Sequence, residues 1–300
     1  MNLSLGYSSC PNDAFIFDAM IHGKIDTEGI TFEPTIEDVE ALNQRALKVD
    51  LDITKLSFHT YGFVIEDYIL LNAGSALGRG CGPLVISKDK IPNPNPDSYR
   101  GQIPNLSLAI PGKYTTANFL FSLAYPEVEN KLELLFSEIE NAVLSENVDW
   151  GVIIHENRFT YEQRGLHKII DLGEYWEQET GHPIPLGGIV VKRNMDGELK
   201  TRVDRILKRS VEYAMSNPKS SSTYVRDLAQ EMDEQVIEQH IGLYVNEFSV
   251  DLGSTGRPAI QALFEKAVEM NIFDRPNLEL ILNSENPHPD NYRDKIRNST

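Results

Sequence analysis

The stretch Asp149–Tyr161, DWGVIIHENRFTY, decides the fold class of this 300-residue chain. Its apolar run Trp150–Ile154 has the length and composition of a buried strand, and His155 follows at the carboxyl end of that strand. In open α/β sheets, ligands bind beyond the carboxyl ends of the strands. His155 is therefore our first candidate for a general base, because an imidazole with an ordinary pKa of about 6.5 suits proton transfer near neutrality. The alternative is a histidine that caps the strand or hydrogen-bonds a neighbouring loop.

Composition and charge narrow the class of partner. The chain is 41% apolar, which is enough to fill substantial cores, and its formal net charge is −17 with a pI near 4.8. Nucleic acids and anionic membrane surfaces are expected to be repelled by such a chain at long range. An anionic small molecule would then have to be held by local hydrogen-bond donors and cations. The sequence leaves the oligomeric state open.

The termini and the cysteines point to an intracellular protein without a metal site. The amino terminus, MNLSLGYSS, lacks a basic region and a long apolar run, so we expect no signal peptide. No run of about 18 apolar residues appears, and we expect a cytoplasmic protein with no membrane partner. Cys10 and Cys81 lack companions at metal-ligand spacing, so the sequence predicts neither a disulfide framework nor a zinc site.

The order of predicted elements indicates an α/β protein with two lobes, the second inserted into the first. Strands and helices alternate up to a proline-rich connector that contains Pro92, Pro94 and Pro96, and a second series opens after it. A return crossing follows near Pro183 and Pro185. The expected division is 1–88 plus 189–300 for the first lobe and 103–184 for the second, with crossings at 89–102 and 185–188.

Polar residues follow several of the predicted strands. Pro11 starts a helix after the first strand, so Asp13 lies in its first turn, where most aspartates only complement the helix dipole. Lys55, Leu56 and Ser57 follow a short strand through Ile53, and this loop is a candidate cradle for a carboxylate. Its alternative is a solvated lysine.

A second candidate anion site lies at the start of the helix in PGKYTTANFLFSLAYP. Thr115 and Thr116 stand at its amino end beside Lys113. Two hydroxyls and free backbone N–H groups at a helix amino terminus suit an anion. Taken alone, the pattern favours simple capping of the helix by a threonine.

Seven separated motifs in one order carry a resemblance to a known family. The chain resembles 1,4-dihydroxy-6-naphthoate synthases, menaquinone enzymes of the futalosine pathway, from residue 3 to about 270. The motifs are SSCPNDAFIFDA (8–19), EDVEALN (37–43), TKLS (54–57), ALGRGCGPLV (76–85), PGKYTTA (111–117), GVIIHENRFTY (151–161) and LYVNEFS (243–249). Ser9 and Ala14 depart from the family pattern, which has proline and threonine there.

The resemblance implies a fold, a reaction and a set of residues. The fold is that of type II periplasmic binding proteins, with the ligand cleft between two lobes. The reaction converts cyclic dehypoxanthinylfutalosine to 1,4-dihydroxy-6-naphthoate and a three-carbon fragment, with no metal or redox cofactor expected. The histidine of the VIIHE motif, His155, is the implied proton acceptor. The implied substrate contacts are Lys55, Leu56, Ser57, Thr115 and Thr116.

Asp13 is a candidate to orient the imidazole or to handle a second proton. The nearest rival function is chorismate dehydratase, a related enzyme of the same pathway and fold. A rival of a different class is a non-catalytic solute-binding protein. A further alternative is a Cys10 nucleophile paired with His155.

Overall fold

The computed structural model describes residues 1–90, 105–229 and 233–283 of the chain. The first part contains β1 (Asn2–Tyr7), α1 (Pro11–Ile21), β2 (Thr31–Ile36), α2 (Val39–Leu47), β3 (Ile53–Ser57), α3 (Phe58–Phe63), β4 (Tyr68–Leu70), β5 (Ala76–Gly78) and β6 (Leu84–Ser87). The next contains β7 (Leu108–Ile110), α4 (Thr116–Ala124), β8 (Lys131–Glu133), α5 (Ile139–Leu144), β9 (Trp150–Ile153), α6 (Asn157–Thr160), β10 (His167–Asp171), α7 (Leu172–Thr180) and β11 (Ile184–Lys192).

The described residues after β11 are mainly helical. They form α8 (Gly197–Ser216), α9 (Ser222–Leu228), α10 (Glu234–Tyr244), α11 (Glu247–Val250) and α12 (Gly253–Glu269). Short 3-10 turns cover Phe136–Glu138, Tyr161–Arg164 and Pro218–Ser221. Within the three described ranges, no helix combines the length and apolar composition that crossing a membrane requires.

The helix starts follow local sequence rules. Side-chain oxygens accept first-turn backbone N–H groups at Asp38, Thr115, Asp171, Asp196 and Asp233, ahead of α2, α4, α7, α8 and α10. Helix α1 differs. Its cap residue Cys10 makes no such bond, and Pro11 supplies the first-turn geometry instead. The Cys10 side chain points away from the helix start, and its Sγ lies 3.2 Å from His155 Nδ1.

The first sheet has the order β2-β1-β3-β11-β4, and β5 also pairs with β11. Strand β1 runs parallel to β2 and β3, whereas β11 runs antiparallel to β3, β4 and β5. The carboxyl ends of β1 and β3 and the amino-terminal half of β11 therefore share one edge. In the register of that edge, Gly187 pairs with Ser57.

The second sheet has the order β10-β6-β9-β7-β8. Strand β7 is parallel to β8 and β9, whereas β6 is antiparallel to β9 and β10. The carboxyl ends of β7 and β9 lie at the same edge, so Thr115 and His155 follow neighbouring strands. One apolar core cluster joins the two sheets, since it contains Leu56 and Val190 of the first and Leu108 and Val152 of the second.

Sheet membership differs from the predicted division of the chain in two places. Strand β6 was expected in the first lobe, but it hydrogen-bonds to β9 and β10 in the second sheet. Strand β11 begins at Ile184, which we placed in the second lobe, and it pairs in the first sheet. The predicted crossing at 89–102 falls largely outside the described residues. We propose instead that the chain passes between lobes at residues 79–83 and 181–183.

A second correction concerns residues 54–57, which we predicted as a loop. They belong to β3, and all of them are buried. The β-branched and apolar residues Ile53, Thr54 and Leu56 favour extended backbone, and pairing with β1 and β11 extends the strand to Ser57. Successive side chains in a strand point to opposite faces, so this segment presents two different surfaces.

A matched pair of glycine substitutions tests the packing at the proposed first crossing. A Cβ atom at Gly82 would lie 2.2 Å from the backbone nitrogen of Gly173, whereas a Cβ at Gly242 on α10 meets nothing within 4 Å. We expect Gly82→Ala to destabilise the protein by about 1–3 kcal/mol through overpacking. Gly242→Ala should stabilise it by about 0.5–1 kcal/mol. Urea unfolding measures both, and equal effects would contradict the close approach of the two backbones.

Candidate active site

A cavity of about 640 Å³, measured with its solvent-open part, lies where strand ends from both sheets meet. Residues from both sheets and from α10 surround it. They are Ser8, Asn12, Val39, Lys55, Ser57, Ala76, Cys81, Pro83, Thr115, Thr116, Ala117, Ile154, His155, Leu186, Gly187, His240 and Tyr244. A pocket lined by apolar surface and a few convergent polar groups is typical of a small-molecule site.

His155 is presented to this cavity by a turn at the end of β9. The backbone of His155 is left-handed, with φ of 58°, a conformation that few non-glycine residues adopt. Its Nδ1 lies 3.2 Å from Sγ of Cys10, and the edge of its ring packs on Phe136 with centroids 4.9 Å apart. The other nitrogen, Nε2, is buried and has no hydrogen-bond partner among the described residues.

The surroundings of His155 keep its imidazole neutral. Burial lowers the pKa of His155 to about 4; the Asp13 carboxylate opposes this shift and the Lys55 ammonium adds to it. At neutral pH the ring is therefore an uncharged acceptor. In the tautomer with its hydrogen on Nδ1, donated to Cys10 Sγ, the lone pair is on Nε2, and leaving it unpaired costs about 1–3 kcal/mol. In that tautomer Nε2 is suited to receive a proton or a hydrogen bond from a bound molecule.

Cys10 is a protonated thiol in this environment. Burial raises the pKa of Cys10 well above its usual range, and the negative charges of Glu156 and Asp13 raise it further. Reactive cysteines have the opposite electrostatics, because the thiolate is the nucleophile. The arrangement therefore favours a packing and hydrogen-bonding contact with His155 over the nucleophile that the sequence left open.

Asp13 lies beneath the cavity wall and does not line the cavity. It is fully buried, and its carboxylate accepts bonds from Ser8 N at 3.1 Å, Ser8 Oγ at 2.7 Å and Asn12 Nδ2 at 2.9 Å. The Lys55 ammonium also donates to it. With these donors around it, the carboxylate is arranged to fix Lys55 and Asn12 in position.

The three residues of β3 that we predicted as substrate contacts do not all line the cavity. Lys55 and Ser57 line the cavity, whereas Leu56 between them points to the opposite face and joins the apolar core. Lys55 is also neutralised by Asp13, and the Ser57 hydroxyl interacts with Asn43 Nδ2 at 3.1 Å. The structure thus brings two of the three to the site.

Thr115 and Thr116 both line the cavity at the start of α4. Thr115 caps the helix, since its Oγ1 accepts from Asn118 N at 3.2 Å and donates to Gly112 O at 2.8 Å. The Thr116 hydroxyl donates to Leu186 O at 2.6 Å. Capping and cavity lining therefore occur together at this pair, and the first-turn backbone N–H groups of α4 lie beside the cavity.

The sequence placed Asn12 at this crevice, but it did not predict that His240 and Tyr244 line the cavity. His240 is completely buried on α10, and its ring packs on that of Tyr244 with centroids 4.7 Å apart. The two residues are four apart, so they share one helix face. The sequence could have indicated His240, because it lies on the same helix face as Ile237 and Ile241, where a buried polar residue is unusual.

Within residues 1–90, 105–229 and 233–283, no three His, Cys, Asp or Glu side chains are grouped so that they could hold a metal ion.

Comparison with known proteins gives a consistent assignment. A family model described as menaquinone biosynthesis matches residues 3–269. A protein of Thermus thermophilus named 1,4-dihydroxy-6-naphthoate synthase is 42% identical over 265 residues, covering 88% of this chain and 93% of that protein. A protein of the same name from Streptomyces coelicolor is 42% identical over 270 residues, covering 88% of this chain and 92% of that protein.

Solved structures agree with the predicted fold. A crystal structure of a protein from Archaeoglobus fulgidus has 32% sequence identity and a TM-score of 0.83, covering 91% of this chain and 98% of that one. A Candida albicans protein described as having the generic periplasmic binding protein fold has a TM-score of 0.63 at 10% identity, covering 92% of each chain. The prediction of a two-lobed periplasmic-binding-protein-like fold is confirmed.

The buried ion pair of Lys55 and Asp13 generates a stability prediction. Lys55→Met should destabilise the protein by about 3–5 kcal/mol, because it leaves a buried carboxylate without its cation. Adding Asp13→Asn should recover part of the loss, since an amide needs no counter-charge. Lys266→Met, which breaks the exposed pair with Glu269, is the matched control and should cost no more than about 1 kcal/mol. Denaturant unfolding of the four proteins checks this, and similar losses for Lys55→Met and Lys266→Met would contradict it.

Proposed function

The chain belongs to the menaquinone biosynthesis family, and on that premise we propose that it is a carbon–carbon lyase, a 1,4-dihydroxy-6-naphthoate synthase with His155 as its general base. It converts cyclic dehypoxanthinylfutalosine to 1,4-dihydroxy-6-naphthoate and a three-carbon fragment. We propose that it does so in the cytoplasm, without a cofactor, on a small anionic substrate and with no nucleic-acid or membrane partner.

The observation that supports this role for His155 is the state of its Nε2 atom. It is buried, it lacks a hydrogen-bond partner within the described residues, and the ring to which it belongs lines the cavity. The lowered pKa keeps the imidazole neutral, and with the hydrogen on Nδ1 the lone pair on Nε2 is available at physiological pH. Removal of a substrate proton by Nε2 starts carbon–carbon cleavage and aromatisation.

We place the substrate carboxylate at the amino end of α4. Thr115 already accepts the N–H of Asn118, so the earlier N–H groups of Thr116 and Ala117 are the ones directed to a ligand. Asn12 and Val39, in the first turns of α1 and α2, line the same cavity, which adds two further helix amino ends. Their combined dipoles favour an anion locally, although the whole chain carries a charge of −17.

Closure of the lobes completes the site in this proposal. Cys10 follows a strand of the first sheet and His155 a strand of the second, so their 3.2 Å contact forms only when the lobes are together. Thr60 Oγ1 donates to Tyr114 O at 2.9 Å across the same cleft. A closed cleft excludes water, which strengthens each electrostatic contact and protects a carbanion-like intermediate.

Replacement of His155 tests the proposal directly. The wild type should convert cyclic dehypoxanthinylfutalosine anaerobically, and His155→Gln should lose about 10²–10⁴-fold in kcat, the usual contribution of a general base. Mass spectrometry of dihydroxynaphthoate gives the rates, and circular dichroism verifies that the variant is folded. A variant with normal kcat would remove His155 from this role.

The lowered pKa of His155 also predicts the pH dependence of the wild type. A base must be unprotonated, so kcat/KM should stay level as pH falls through 6.5 and decline only toward about pH 4. Folding stability should weaken over the same window, because the unfolded state binds the proton near pH 6.5 and the folded state binds it only near pH 4. A fall in kcat/KM centred near pH 6.5 in the still-folded protein would contradict a buried neutral base.

A further inference from the structure

His240 forms part of the cavity wall beside His155. Its side chain has no exposed surface, and its ring lies nearly parallel to that of His155, with centroids 6.2 Å apart and an angle of 24° between the planes. The proposed reaction assigns a proton-transfer role to His155 but none to His240. At this spacing and angle the two rings do not hydrogen-bond each other, so a proton passes between them through a molecule bound in the cavity that both line.

The hydrogen bonds around Asn12 define which nitrogen of His240 carries hydrogen. Asn12 Nδ2 donates to the Asp13 carboxylate at 2.9 Å, which turns Asn12 Oδ1 toward His240 Nε2 at 3.0 Å. An amide oxygen only accepts, so Nε2 must be the donor. Burial lowers the pKa of His240 well below its usual value, and the ring is therefore neutral, with a lone pair on Nδ1.

The Nδ1 atom of His240 is directed toward Glu156. It has no hydrogen-bond partner within residues 1–90, 105–229 and 233–283, and it lies 3.9 Å from Oε2 of Glu156. Glu156 lines a separate surface groove of about 740 Å³, measured with its solvent-open part, together with Glu140, Asn157 and Arg164. The imidazole thus lies between a cavity residue, Asn12, on its Nε2 side and a groove residue, Glu156, on its Nδ1 side.

We propose that His240 relays protons between the cavity and the groove through Glu156, an inference that rests on the proposed function. In an inward transfer Glu156 gives a proton to Nδ1, and the Nε2 proton leaves its hydrogen bond to Asn12 Oδ1 for a molecule bound in the cavity. An outward transfer reverses both steps. Such a path gives the buried site access to solvent protons while the lobes are closed.

The protons of one turnover balance along this path. His155 Nε2 takes one proton from the substrate, and the carbon–carbon bond breaks. The atom that keeps the electron pair of that bond receives the proton released by Nε2 of His240. The proton on His155 then passes to Nε2 of His240 through a hydroxyl of the bound product, and Nδ1 returns its proton to Glu156. No net proton is consumed, and both histidines end neutral.

Chemical rescue tests the relay with the intact protein. His240→Ala and Glu156→Gln should each lower kcat by roughly 10²-fold, in the range of a lost proton-transfer group, with KM nearly unchanged. Added imidazole should restore kcat to His240→Ala, because the small base occupies the space of the lost ring. The double variant should be no slower than His240→Ala, since both residues serve one path.

Three controls separate the relay from a structural role. His240→Gln keeps an amide that can bond Asn12 but cannot relay, so it should be as slow as His240→Ala. Glu140→Gln removes a carboxylate from the same groove, where Glu140 is held by Arg164 and Asn157, and should keep wild-type kcat. Ile237→Ala weakens the packing of α10 and should lower the melting temperature while kcat stays normal.

Each outcome decides a different claim. Normal kcat in His240→Gln and Glu156→Gln would overturn the relay. A loss in His240→Ala that imidazole does not restore, together with an active His240→Gln, would also overturn it and leave a packing role. Absence of turnover by the wild type would instead overturn the proposed function, and the relay with it.

Discussion

The buried carboxylate of Asp13 is the contact on which the rest of the site depends. It joins the first turn of α1 to β3 through Lys55 and orients Asn12, which in turn meets His240 on α10. Three elements that are far apart in sequence are therefore aligned by one charge. The charge of Asp13 also acts on His155, since it opposes the lowering of the His155 pKa by burial.

In the proposed reaction, the buried side chains that the structure describes around the cavity are neutral or ion-paired, and none of them carries an unpaired charge. Lys55 is paired with Asp13, Cys10 is a thiol, and His155 and His240 are both held neutral by burial. Helix amino ends supply the positive potential for an anion without the desolvation cost of an unpaired cation. In the proposed reaction, these helix ends would let a strongly acidic chain hold an anionic substrate. The synthase name of both relatives favours this reaction over chorismate dehydration and over simple ligand binding.

The sequence predicted what local patterns determine. Buried strands followed by polar residues placed His155 and the threonine pair at strand ends, and the family resemblance supplied the reaction. The predictions from sequence were wrong where the partners of a strand decide its length or its sheet. Strand β3 runs through Ser57 because β11 pairs with it, which turns Leu56 away from the cavity. Strand β6 joins the second sheet because β9 and β10 flank it. His240 was missed since only the packing of α10 on α1 shows which face of that helix meets the cavity.

The most direct test offers the purified protein cyclic dehypoxanthinylfutalosine and chorismate together under anaerobic conditions, and follows both by mass spectrometry. If the chain is a 1,4-dihydroxy-6-naphthoate synthase, only cyclic dehypoxanthinylfutalosine is consumed, and dihydroxynaphthoate and the three-carbon fragment form in equal amounts. Consumption of chorismate, or tight retention of either compound without turnover, would contradict it.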